Sequence, residues 1–76
     1  MKKKTFYHHL AEIFETNVKN LTSKKKLSNY DWDSLKVLEL ISFADTHFPE
    51  AKISPDKINE CLDIDDIEKL FKRYIN

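Results

Sequence analysis

Glycine is absent from the 76 residues, and proline occurs only twice. Without glycine there is no Gly-rich loop to cradle a phosphate, no type I′ hairpin of the usual composition and no nucleophile elbow. The single cysteine, Cys61, excludes an internal disulfide and a zinc site built on paired cysteines. An unstapled core fits a reducing compartment, so a cytoplasmic location is expected. No apolar run approaches the ~20 residues that cross a bilayer, and no membrane partner is expected. The lysines Lys2–Lys4 are not followed by the apolar stretch of a secretory signal. Net charge is missing too, with 13 basic and 13 acidic residues. The balance hides a division. Residues 1–29 carry seven lysines against Glu12 and Glu15, or +5, and residues 30–76 carry six basic against eleven acidic residues, or −5. Such a split points to an acidic working surface or a basic docking surface.

What is present suits a small helical domain. Hydrophobic residues make up 41% and charged residues 34%, enough apolar matter for a core and too much for wholesale disorder. A chain of this length buries only about 60% of its unfolded surface, which leaves no room for a large cleft or two lobes. The expected architecture is all-α: one domain over residues 1–76, with three main helices, one short helix and a long loop between the first two.

The apolar series Phe6, Tyr7, Leu10, Ile13, Phe14, Val18 and Leu21 falls within an arc of about 140° at helical spacing, which predicts a first helix over roughly residues 4–18. Residues 19–33 have no sustained period and read as a loop. Leu21, Leu27 and Trp32 are expected to pin it to the core, and a loop this long in a compact domain is often functional. The second helix opens at Asp33-Ser34, with Asp33 as its cap. Val37, Leu40, Ile41, Ala44 and Phe48 form a core stripe about 100° wide, and Pro49 ends the helix. Leu35, Leu38 and Phe43 lie off that stripe and are expected to face solvent. Ser54-Pro55 opens a short helix that reaches about Cys61, with the proline at the first position, where its missing N–H costs nothing. Asp63 caps a fourth helix that runs to Ile75, acidic at its start and basic toward its end, as the helix dipole favours.

The stretch Asp31-Trp32-Asp33-Ser34-Leu35-Lys36-Val37-Leu38-Glu39-Leu40 is the informative one. A serine stands at a helix N-terminus after a long loop, flanked by an aspartate and by surplus leucines. This arrangement resembles the attachment site of the acyl carrier protein family. The likeness extends over nearly the whole chain, through Phe48, Ile53, the short third helix and the fourth helix from Leu62 to Ile75. It implies that Ser34 carries a covalent 4′-phosphopantetheine derived from coenzyme A and that Asp33 positions the motif. Leu35 and Leu38 would form the apolar part of a docking patch, to which Glu39 and Asp45 add negative charge. The protein would then be a non-catalytic, monomeric carrier of acyl or aminoacyl thioesters. Its partners would be a phosphopantetheinyl transferase, a loading ligase or synthase, and an acceptor transferase. Lys36, Trp32 and the neutral net charge differ from fatty-acid carriers. They imply a specialised member serving one dedicated enzyme.

Each feature has an ordinary alternative. Ser34 also reads as a helix-terminal serine, Leu35 and Leu38 as isolated surface leucines, and Glu39 and Asp45 as solvated charges. His8 and His9 point about 100° apart on a helix and make a poor chelating pair, while His47 stands alone, so no metal is expected. Cys61 reads as a small buried apolar residue. Lys24–Lys26 reads as a solvated loop. The rival function is a small helical adaptor, with nucleic-acid binding through the lysine runs. Against nucleic acid, aromatics are not interleaved with the lysines and the rest of the chain is not basic.

Overall fold

In the computed structural model, which describes residues 1–22 and 24–76, four α-helices follow one another with short 3₁₀ turns between them. They are α1 (Lys3–Ile13), α2 (Ser34–His47), α3 (Pro55–Asn59) and α4 (Ile64–Leu70). No strand occurs among the described residues, and the all-α expectation holds.

α1 stops at Ile13, several residues earlier than its apolar spacing suggests. Glu15 turns into the left-handed region with φ 56°, and the Thr16 and Glu15 N–H groups donate to the Ala11 and Glu12 carbonyls. That is the hydrogen-bond pattern of a Schellman C-cap, with a glutamate at the place usually held by glycine. The chain has no glycine to spend here. Asp31 and Lys52 take the same conformation, with φ 54° and 50°. The apolar period continues past Ile13 because Phe14 and Leu21 still pack on the core, from turn rather than helix.

The long connection is anchored rather than loose. A 3₁₀ turn at Leu27–Tyr30 buries both of its end residues. Tyr30 stacks on Phe14 at 5.2 Å between ring centres, and the Trp32 ring stands edge-on to Phe14 at 5.3 Å. The Leu27 N–H donates to the Leu62 carbonyl, and the Ile64 N–H donates to the Lys25 carbonyl. These bonds tie the connection to the α3–α4 turn and fix the point at which α2 begins.

The core is built around four phenylalanines. Phe6 of α1, Phe43 of α2, and Phe48 and Phe71 after α2 and α4 lie 5.2–6.0 Å apart, tilted or edge-on. Such tilted and edge-on pairs avoid the repulsion of a face-to-face sandwich. Phe43 was expected at the surface, but it is buried at 8% exposure. The buried face of α2 includes Lys36, Leu40 and Phe43. On a helical wheel it is turned by roughly 55° from the stripe read in the sequence, toward α1, and leaves Ile41 only half-buried.

The first turns of α3 and α4 are capped as expected. Ser54 Oγ accepts from the Lys57 N–H at 3.4 Å, and Asp63 Oδ1 accepts from the Asp66 N–H at 2.8 Å. Asp66 Oδ2 reaches back to the Leu62 N–H at 2.9 Å. The two carboxylates thus satisfy donors that a helix start leaves unpaired. α4 is shorter than expected and passes at Lys72–Tyr74 into a 3₁₀ turn. The chain ends meet: the Met1 amine donates to the Tyr74 carbonyl, and the Asn76 N–H donates to the Met1 carbonyl. Beside them, Tyr7 donates to Glu68 at 2.6 Å and ties α1 to α4.

Candidate functional site

Ser34 is the first helical residue of α2, and it is exposed. Its position follows from the residues before it. Asp31 in the left-handed region reverses the chain, Trp32 settles against Phe14, and Asp33 adopts the extended conformation of a cap. Asp33 Oδ1 accepts from the Lys36 N–H at 3.0 Å. One orphan donor of the first turn is thereby satisfied. Those of Ser34 and Leu35 have no acceptor one turn back and face outward, with the positive end of the helix dipole behind them.

The surroundings of Ser34 are apolar in an unusual way. Among the described residues three large hydrophobic side chains are exposed: Leu35 at 61%, Leu38 at 62% and Leu62 at 73%. Two of them share the first turns of α2 with Ser34. Leu62, before α4, was not singled out in the sequence. A leucine just before a cap usually packs back onto its helix, and nothing in the sequence distinguishes this one. Leu62 also borders a groove of about 290 Å³ with Lys26, Leu27, Ser28, Trp32 and Cys61. Trp32 makes that groove a neighbour of Ser34.

The charged candidates lie differently. Glu39 and Asp45 are both exposed on α2, and neither takes part in an ion pair among the described residues. Lys36, by contrast, is buried at 8% exposure. Its alkyl stem is covered, the arrangement in which a lysine packs its chain and sends its head toward water.

Cys61 is buried beside the groove, and its Sγ donates to the Lys57 carbonyl at 3.6 Å. Burial, followed by the nearby Asp66, Asp63 and Glu60 carboxylates, pushes its thiol up to about 11. A thiol held protonated is a poor nucleophile. His47 does not stand alone: its ring lies 5.0 Å from that of His9. No described helix is long and apolar enough to cross a membrane. No protein family, curated protein or solved structure matches this chain.

Proposed function

We propose that the protein is a specialised carrier of acyl or aminoacyl groups, held as thioesters on a 4′-phosphopantetheine arm attached to Ser34. The observation that carries this reading is an exposed serine at the first position of α2, capped by Asp33 and bordered by two of the three exposed leucines.

The residues fit the arm. A phosphodiester on Ser34 Oγ meets the open N–H groups and the positive dipole end of a 14-residue helix. Ser34 is exposed, which lets a transferase approach it. In the modification, Ser34 Oγ bonds to the phosphorus of coenzyme A that bears the pantetheine. The nucleotide portion leaves, and the hydroxyl proton passes to a base of the transferase. When bound, the arm supplies a terminal thiol that holds a carboxylic acid as a thioester. The chain itself needs no catalytic residue. Tethering raises the effective concentration of the cargo at each partner's active site.

Leu35 and Leu38 offer partners an apolar contact next to the attachment point. Glu39 and Asp45 add negative charge that speeds encounter with basic partners more than it strengthens the complex. The partners are a phosphopantetheinyl transferase working with coenzyme A and Mg²⁺, a loading ligase or synthase, and an acceptor transferase. The test is intact mass after incubation with a broad-specificity transferase and coenzyme A, with Ser34→Ala as control. The wild type is expected to gain one phosphopantetheine and the variant none. An unmodified wild type that binds RNA or DNA with a steep salt dependence would instead support the lysine-run reading.

A further inference from the structure

About 20 Å along α2 from Ser34, two imidazoles from separate helices come together. His9 belongs to α1 and His47 is the last residue of α2. Their ring centres are 5.0 Å apart with planes at 50°. Both rings also lie against Phe43, at 5.0 Å and 4.9 Å. Phe43 is part of the core, so it gives the pair a fixed floor. His9 is half-buried and His47 is exposed. A shallow groove of about 240 Å³ opens beside the pair, and Glu12, Ile13, Glu39, Ser42 and Thr46 complete its wall.

The spacing suits a metal ion. With metal–nitrogen bonds of about 2.0–2.1 Å, each ring centre lies about 3.2 Å from the ion, and a tetrahedral angle then separates the two centres by about 5.2 Å. The observed separation is 5.0 Å. Glu12 and Glu39 put negative charge on the same groove, which favours a dication over bulk water. Among the described residues no group of three or more His, Cys, Asp or Glu is placed to hold a metal. The protein therefore supplies two ligands, and water or a partner supplies the others.

We propose that His9 and His47 form a two-imidazole site for a zinc-class divalent ion, which clamps the end of α2 onto α1. This site is independent of the carrier reading and stands whether or not Ser34 is modified. Magnesium, which prefers oxygen ligands, is a poor occupant.

The test is calorimetric titration of the full chain with Zn²⁺ at pH 7.5, alongside thermal melts with and without the ion. One Zn²⁺ per chain and a melting temperature raised by several degrees are expected, since a ligand that binds only the folded state stabilises it. His47→Gln, at an exposed position, and His9→Gln should each weaken binding by about tenfold or more. His8→Gln should leave it unchanged, and Mg²⁺ should not raise the melting temperature. Circular dichroism checks that each variant keeps its helices. Absence of binding to the wild type, or undiminished binding to the folded His47→Gln variant, overturns the proposal.

Discussion

Leu35 and Leu38, in the first two turns of α2, are 61% and 62% exposed, whereas Phe43 and Phe48, toward and just past its last turn, are 8% and 6% exposed. All four are large apolar side chains of one continuous segment. The difference lies in what stands opposite. Phe6 of α1 and Phe71 after α4 close over Phe43, and Phe71 and Tyr74 close over Phe48. The leading end follows the connection, whose own aromatic residues turn toward Phe14 and leave Leu35 and Leu38 exposed. One end of α2 is thus a structural anchor. The other leaves two leucines in water beside the exposed Ser34.

The contrast can be broken by truncating both kinds of position within the same helix. Leu40 is fully buried, so Leu40→Ala is expected to cost ~2–5 kcal/mol, measured by urea unfolding, enough to unfold much of a small domain. Leu38→Ala should stay within ~0.5 kcal/mol of the wild type in the same measurement. Equal losses from the two would remove the distinction between the ends.

The thiol beside the open end behaves as core, and this sets the next largest effect. With Cys61 pushed up to about 11 from an ordinary 9.0, its thiolate fraction at pH 8 is about a hundredfold below that of an unperturbed thiol. Iodoacetamide labelling of the folded chain should be slower than that of the unfolded chain by a similar factor. The raised value also means that the folded chain keeps a proton the unfolded chain loses. The stability this group contributes is present below pH about 9 and is lost as the pH rises toward about 11. Fast labelling in the native state would place Cys61 outside the core.

A smaller effect sharpens the role of the open end. Leu38→Glu should leave the helical circular dichroism intact and slow modification by the transferase about tenfold, the loss of one good contact at an interface. The smallest effect concerns the glycine-free backbone. Lys52→Gly, which relieves a left-handed residue at φ 50°, should raise stability by ~0.5–1 kcal/mol, the relief of strain outweighing the added freedom of the unfolded chain.

Much of this was legible in the residues. Asp33, Ser54 and Asp63 announced their helices because a short oxygen-bearing side chain before an apolar period has a specific hydrogen bond to make. The exposure of Leu35 and Leu38 followed from their places on the wheel. Phe43 did not. It lies one step beyond the stripe, and only the large rings of Phe6 and Phe71 rotate the buried face far enough to include it. The end of α1 was hidden because Glu15 holds a position where glycine would have signalled a stop. Leu62 and the meeting of His9 with His47 depend on which elements come to lie side by side, and local spacing carries no trace of that.

The most direct measurement is the intact mass of the full chain after exposure to a broad-specificity phosphopantetheinyl transferase, Mg²⁺ and coenzyme A. Complete conversion to a species heavier by one phosphopantetheine, abolished in Ser34→Ala, is the predicted result. A wild-type mass that does not change, from protein whose circular dichroism shows it folded, would contradict the account.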